Sequence, residues 1–537
     1  MQGISDIAEI LAQNNLYDVV LSPGSRCAPL TNAVVHHSKL KTYSVIDERS
    51  AGFYAVGMSL ATKKSTTLIC TSGSAGLNYA PSVAEAYFQE IPLLILTADR
   101  PEELIDQYDG QTIFQKELFG RHVKKAFETS PNASKKDAHT IIQKAIKLAN
   151  SKPYGPVHIN IPLREPLYSE KEIKYSKEDF LIEYSEKDNF IINNNLKEVI
   201  SESKNVIIIL GQGSPNLKLE NELQKLKGVV ILKDVHSNSN IGITENDFFN
   251  YEEMPKPDLV ISVNKSLISK SLKLYLKGLK GLKHIHIGTD RIEPNTFNCL
   301  IGKITGEPEH VLPKLSISSS KDFYSKWDFE NTLIADKKNL FFQNKENTEM
   351  DFYWSVLSKT IENSHIHFAN SMAIRYGNFL QNIINPSNEI FCNRGTSGID
   401  GSTSTAAGFS LKREIPNLLL TGDLSFFYDR NAFWNPNFPT NLKVIVFNNQ
   451  GGGIFNMIPG PGLHKTSKEY FTTPRTHSAQ HLAEEFNIQY FQSRDIHHFD
   501  ELLTSFNNFE GAAILEIYTD QEANSERVKK LKDFILH

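Results

Sequence analysis

The sequence is poor in cysteine: four in 537 residues, at positions 27, 70, 299 and 392, with no CxxC pair among them. Isolated thiols of this kind exclude a disulfide framework and a cysteine-built zinc site, and they suit a reducing compartment. No apolar run approaches the ~18 residues needed to cross a bilayer. The start, MQGISDIAEILAQNN, lacks the basic lead and apolar centre of a secretory signal. Ile4, Ile7 and Leu11 recur there at the spacing of an amphipathic helix. A cytoplasmic location is expected. An excess of either charge is missing too: 57 Lys and Arg stand against 62 Asp and Glu, a net of −5. That excludes the basic face of a nucleic-acid or membrane-surface binder. Anionic ligands would have to be held by local arginines.

What is present is a rhythm: a short β-rich run, a turn of Gly, Ser or Asp, then a helical stretch. It runs through YDVVLSPGS (17–25), TYSVIDERS (42–50), TTLICTSGSAG (66–76), IPLLILTADRP (91–101) and VHINIP (157–162). It continues in NVIIILGQGS (205–214), GVVILKD (228–234), DLVISVN (258–264) and HIHIGTD (284–290). It ends in EIFCNRG (389–395), NLLLTGDLS (417–425), KVIVFNN (443–449) and AAILEIYTD (512–520). Near-continuous apolar strands between helices predict α/β architecture: three domains, each a mostly parallel sheet flanked by helices. The length agrees, at about 100–200 residues per domain. Residues 168–196 are charged and aperiodic, and 314–350 are rich in Ser, Lys and Asn. Both read as linkers with some helix. The expected domains are therefore 1–170, 190–320 and 350–537. In such sheets, ligands bind beyond the carboxyl ends of the strands.

One pair of strand ends carries metal chemistry. Gly422-Asp423 follows NLLLT, and Asn449 follows KVIVF, with room between for strand, helix, strand. A carboxylate and an amide at neighbouring strand ends suit a hard cation such as Mg²⁺ that also takes phosphate oxygens. Gly451, Gly452 and Gly453 let backbone approach a diphosphate closely. The bland alternative is two ordinary turns, but the combination is far rarer than either dipeptide. GDLSFFYDRN…VIVFNNQGGGIF resembles the diphosphate-binding motif of thiamine-diphosphate enzymes. That resemblance implies Mg²⁺ (or Mn²⁺) on Asp423, the Asn449 side chain and the Gly451 carbonyl. It implies cofactor contacts from Gly422, Leu424, Ser425, Gly452, Gly453 and Ile454. Gln450 stands where close relatives often have a third Asn, at a side chain that is not a ligand.

Thiamine chemistry needs a carboxyl group on the aminopyrimidine, favouring the imino form that takes the thiazolium C2 proton. Glu48 ends TYSVID and opens the helical run AGFYAVGMSLA. It is the expected catalytic and cofactor-binding carboxylate, and 1–170 is the expected pyrimidine-binding domain. A helix-start carboxylate favouring the dipole is the alternative. The expected diphosphate and metal domain is 350–537.

The resemblance narrows further. SPGSRCAPL, DERSAGFYAVG, TSGSAGLNYAPSVAEA, LTADRP and NRGTSGIDGSTSTAAG are similar to the 2-succinyl-5-enolpyruvyl-6-hydroxy-3-cyclohexene-1-carboxylate synthases of the menaquinone pathway. That family decarboxylates 2-oxoglutarate and adds the succinyl semialdehyde carbanion to isochorismate. Both substrates are dicarboxylates, and Arg is the preferred partner because its planar fork matches a carboxylate. The resemblance implies a substrate site of Ser25, Arg26, Arg100, Gln111, Ser371, Arg375 and Arg394, with Lys270 and Phe455. Ser371 and Arg375 lie one helical turn apart. Ile399 is the expected aliphatic support that bends the cofactor, whereas plain core packing is a close alternative for Ile454 and Phe455. Gly110 replaces a relative's Asn ahead of Gln111, and Ser271 replaces an Arg beside Lys270. The family also implies a homodimer at least, or a homotetramer.

GQGSP (211–215) resembles a dinucleotide loop but is not GxGxxG, so no flavin is expected. Three other functions compete. They are a thiamine carboligase of acetolactate-synthase type, a non-catalytic cofactor-binding protein that Glu48 argues against, and a nucleotide-dependent dehydrogenase that the missing fingerprint argues against.

Overall fold

The computed structural model describes residues 2–130, 134–168, 172–184, 190, 192–457 and 466–537. It contains three sheets whose assigned strand pairs are parallel. The first comprises β1 (Asp18–Leu21), β2 (Lys41–Ser44), β3 (Thr66–Cys70), β4 (Leu93–Asp99), β5 (Lys125–Glu128) and β6 (Pro156–Pro162), ordered β2-β1-β3-β4-β6-β5. The second comprises β7 (Val206–Leu210), β8 (Val230–Lys233), β9 (Leu259–Val263), β10 (Lys283–Gly288) and β11 (Leu300–Thr305), ordered β11-β10-β9-β7-β8. The third comprises β12 (His365–Phe368), β13 (Glu389–Phe391), β14 (Asn417–Gly422), β15 (Leu442–Asn448), β16 (Gln489–Ser493) and β17 (Ala513–Tyr518), ordered β13-β12-β14-β15-β17-β16. Inner strands such as β3, β4 and β6 are buried along their whole length, which is why they read as continuous apolar runs. Edge strands β2 and β5 expose both ends and carry Lys41 and Lys125, which discourage further pairing.

By packing, the chain forms two compact units. The first is Met1–Glu186 with Asn393–Pro416 and Ser425–Leu442; the second is Lys187–Cys392 with Asn417–Leu424 and Lys443–His537. The stretch 350–537 is thus shared between the units.

In the first unit, helix Glu48–Thr62 meets helix Ser402–Ser410 at backbone contact. A Cβ on Gly57 would lie 2.0 Å from the Thr405 carbonyl oxygen, and one on Gly408 would lie 2.1 Å from that of Tyr54. The two glycines set this approach. The charged stretch read as a linker, 168–196, lies outside the described residues at 169–171, 185–189 and 191. Its described part, 172–184, contains no helix and is an extended strap on helix Gln2–Gln13. The Ser176 amide and hydroxyl both donate to the buried Asp6 carboxylate at 2.7 Å, and the Phe180 amide donates to Gln13 Oε1 at 2.7 Å. The Phe180 ring is buried in the same core.

In the second unit, the other expected linker, 314–350, folds as helix Lys321–Phe341. Ser320 caps it by accepting from the Phe323 amide at 3.1 Å. Phe323, Trp327 and Ile334 enter one continuous core that takes in Val230 and Val260 from the second sheet and Leu420 and Ile445 from the third. Lys338 pairs with Glu245 at 2.6 Å, both fully buried. The apolar stripe is thin in a polar stretch, which hid a core helix behind a linker's composition. At GQGSP, Gly211 and Gly213 make room for the neighbouring loop. Cβ atoms there would meet the Lys265 carbonyl oxygen at 2.2 Å and the Asn264 amide at 2.4 Å.

Candidate active site

In the first unit the predicted residues gather at the carboxyl ends of the sheet. Glu48 is the first residue of its helix, and Asp47 caps that helix by accepting from the Arg49 amide at 2.9 Å. The Glu48 carboxyl is half-buried and accepts from Asn78 Nδ2 at 3.4 Å. Desolvation raises its pKa above the usual carboxylate range, its hydrogen bonds pull the other way, and Asp47 adds a smaller push upward. A carboxyl group so placed is suited to keep or share a proton near neutral pH.

Arg26 and Arg100 converge after β1 and β4. Arg26 is buried; its Nη1 donates to the Leu163 carbonyl at 3.0 Å, and its Nη2 lies 3.6 Å from Glu165. Burial lowers its pKa, and the positive charge of Arg100 adds to that. Arg100 donates through Nε to Asp109 at 3.0 Å and through Nη1 to Ser72 Oγ at 3.1 Å. Ser25 is exposed, with its hydroxyl 3.1 Å from that of Tyr168. Gln111 sits at φ 58°, exposed, with its backbone over Gly73.

The NRGTSGID loop belongs to the same unit. Glu85, which lies in the TSGSAGLNYAPSVAEA segment but is not among the expected site residues, is buried and accepts from the Gly395 amide at 2.7 Å, the Thr396 amide at 2.6 Å and the Thr396 hydroxyl at 2.6 Å. It pins the loop that carries Arg394 and Ile399. The Ile399 carbonyl accepts from Ser425 Oγ at 2.7 Å, while its side chain stays 38% exposed.

The second unit holds the metal candidates. Asp423 follows β14, is buried, and accepts from the Leu424 amide at 2.8 Å. Leu424 itself is half-buried. Burial pushes the Asp423 carboxyl up to about 7, against amide hydrogen bonds from Leu424 and Gly451. Asn449 follows β15; its Nδ2 donates to Glu349 Oε1 at 2.6 Å. Glu349 is also buried and is pushed up to about 7, first by burial, with Asp423 adding to it. Among the described residues no Lys or Arg pairs with either acid. Two buried carboxylates without a cation cost free energy at neutral pH, and a divalent ion would offset that cost.

No cluster of three or more His, Cys, Asp or Glu occurs among the described residues. The site instead offers one carboxylate, one amide and backbone, a donor set that suits Mg²⁺. Gly451 adopts φ 152°, and a Cβ there would meet the Thr472 carbonyl oxygen at 2.4 Å. The Gly452 amide donates to that same oxygen at 2.7 Å. The glycine run is therefore held as a loop that admits no side chain at Gly451. Gly422 closes β14, and space for a Cβ is open there. Gly453 packs on the Asn449 amide, and Ile454 and Phe455 open the short helix Ile454–Met457, half-buried, with Phe455 5.7 Å from Phe471.

Ser371, at φ 69°, precedes helix Met372–Phe379, and Arg375 Nη1 donates back to its carbonyl. Lys270 opens helix Lys270–Gly278 and is exposed.

Residues 1–122 match the family described as thiamine pyrophosphate enzyme, N-terminal TPP binding domain. The whole chain is similar to 2-succinyl-5-enolpyruvyl-6-hydroxy-3-cyclohexene-1-carboxylate synthase of Cytophaga hutchinsonii, 40% identical over 100% of this chain and 99% of that protein. The chain belongs to this synthase family. The same-named protein of Flavobacterium johnsoniae is 38% identical over 98% of this chain and 97% of its own length. That of Bacteroides thetaiotaomicron is 31% identical over 98% of each. The chain is thus a thiamine-diphosphate-dependent enzyme of the synthase type. No described helix is long and apolar enough to cross a membrane.

Proposed function

We propose that the protein decarboxylates 2-oxoglutarate and adds the resulting succinyl semialdehyde unit to isochorismate. The products are 2-succinyl-5-enolpyruvyl-6-hydroxy-3-cyclohexene-1-carboxylate and CO₂. The observation that carries this reading is the pairing of a desolvated Glu48 with a separate group of arginines, in a chain that matches synthases of that name end to end.

Thiamine diphosphate, when bound, supplies the electron sink for decarboxylation. Glu48 holds a proton at a ring nitrogen of its aminopyrimidine. Asp423, Asn449 Oδ1 and the Gly451 carbonyl hold Mg²⁺ (or Mn²⁺), and Gly422, Leu424, Ser425, Gly452, Gly453 and Ile454 line the diphosphate. Ile399 supplies the exposed aliphatic support. Arg26 and Arg100, with Ser25 and Gln111, take substrate carboxylates from the first unit. Arg394 adds a cation from the loop that Glu85 anchors, while Ser371, Arg375, Lys270 and Phe455 complete the set. Arg suits this task because a dicarboxylate needs two bidentate partners and the chain's net charge supplies no general attraction. The pyrimidine-binding domain spans 1–170, the middle domain 190–320 and the diphosphate domain 350–537. The enzyme works in the cytoplasm as a homodimer or homotetramer.

The test follows isochorismate loss and CO₂ release with thiamine diphosphate, Mg²⁺ and 2-oxoglutarate. Loss that requires every component supports the proposal. CO₂ release from pyruvate but not from 2-oxoglutarate, with isochorismate untouched, would replace it with a carboligase of acetolactate-synthase type.

A further inference from the structure

Glu349 has no place in the motifs, yet it touches one of them. It is the first residue of helix Glu349–Ser358, 4% exposed, and its amide donates to Asn524 Oδ1 at 2.8 Å. That bond fixes where the helix begins, and so where the carboxylate points. Oε1 lies 2.6 Å from the Asn449 side-chain nitrogen. The Tyr376 hydroxyl faces the same carboxylate, from the helix that carries Arg375.

A side-chain amide is ambiguous by itself, since oxygen and nitrogen have the same shape and either can turn toward a neighbour. Here the structure sets Nδ2, the donor end of the amide, against Glu349 Oε1. With its NH₂ turned to Glu349, Asn449 leaves Oδ1 for the other side, where Gln521 Nε2 lies 3.5 Å away. The backbone is held as well: Gln521 Nε2 donates to the Asn449 carbonyl at 3.0 Å. Gly453 closes the remaining side, because a Cβ there would sit 2.9 Å from Asn449 Nδ2.

We infer that Glu349 is a positioning residue that locks the Asn449 amide with its oxygen toward the divalent cation. The inference rests on the assignment of Asn449 and Asp423 as metal ligands. Outer partners of this kind commonly tune metal affinity about 10–100-fold. The role differs from simple added negative charge. A neutral side chain that accepts from Asn449 keeps the lock, while an apolar one loses it.

The experiment measures Mn²⁺ affinity by electron paramagnetic resonance on the full chain with saturating thiamine diphosphate, with thermal melts as a folding control. Five variants are compared with the native protein: Asp423→Ala, Glu349→Gln, Glu349→Leu, Asn449→Asp, and Asn449→Asp combined with Glu349→Gln. Asp423→Ala loses Mn²⁺ binding, which tests the ligand assignment by itself; unchanged affinity there sinks that assignment. With it upheld, Glu349→Leu weakens Mn²⁺ about 10–100-fold, and Glu349→Gln stays within about threefold because its amide oxygen still accepts from Asn449. Glu349→Leu within threefold of native overturns the inference, as does Glu349→Gln losing as much as Glu349→Leu. If the leucine variant melts before it can be measured, the exchanged pair decides. Asn449→Asp faces Glu349 with a second carboxylate and binds poorly, whereas Asn449→Asp with Glu349→Gln restores a donor–acceptor pair and recovers affinity. No recovery overturns the inference.

Discussion

Counted within itself, the first sheet runs 2-1-3-4-6-5, and the third sheet, β13-β12-β14-β15-β17-β16, repeats that order strand for strand. The scaffold is the same; the loops at its carboxyl ends are not. After its second strand the first sheet places Glu48, and the third places the loop of Arg394 and Ile399. After the third strand come the small residues of TSGSAG in one and Asp423 in the other. After the fourth come Arg100 and Asn449. The loops of one sheet thus carry a half-buried acid and a pair of arginines, and the other unit holds buried acids that no Lys or Arg pairs with among the described residues. Strand order fixes where a loop emerges, and the residues on it decide what is bound.

The largest effect that tests this division of labour comes from Glu48→Gln. Turnover should fall about 10²–10⁴-fold while calorimetry finds cofactor and Mg²⁺ affinity unchanged. A matching loss of affinity would show that the two sheets do not divide the work this way. Next is Arg100→Met, which removes a charged donor from the substrate side. KM for 2-oxoglutarate should rise about 10–100-fold with cofactor affinity constant; an equal loss of both would indicate misfolding.

A smaller effect concerns the helix crossing in the first unit. Gly57→Val drives a side chain into the Thr405 carbonyl and should cost about 1–3 kcal/mol, seen as a melting temperature lower by several degrees. Gly110→Ala, where nothing lies within 4 Å of a new Cβ, should leave it unmoved.

The smallest effect is shared by both sheets, each of which buries a neutral histidine. Burial takes His158 in β6 and His367 in β12 down to about 3. With the folded pKa below the unfolded value near 6.5, the unfolded chain binds more protons between pH 6.5 and 3. Stability should therefore fall as pH drops through that window. His158→Asn, placed beside Thr97 where the ring nitrogen now lies at 2.8 Å, should flatten the slope by up to one proton in denaturation curves. An unchanged slope would count against a buried neutral ring.

The inner strands were legible because burial on both faces writes continuous apolar runs such as TTLIC and LLILTAD. The strands that escaped notice, β5, β11 and β16, are edge strands with alternating or exposed faces, and β12 is four residues with two histidines. The cofactor motif was legible because its chemistry sits in contiguous residues at strand ends. Glu349 and Gln521 were not, since each acts on a motif from a distant part of the chain and carries no local signature, and Glu85, although inside a quoted segment, shows its role only through the distant loop it holds. The helix Lys321–Phe341 was obscured for a different reason: a 21-residue element needs few apolar positions to bury one face.

The strap at 172–184 has a practical consequence for cutting the chain. A fragment ending at Tyr168 would keep every strand of the first sheet yet take two hydrogen-bond donors from the buried Asp6 and uncover the seat of Phe180. Such a fragment should be prone to aggregate, whereas proteases acting on the intact protein should leave the strap attached to the amino-terminal piece. A fragment meant to keep the first sheet's core covered should therefore run through Tyr184 at least, rather than stop at the last β-strand of that sheet.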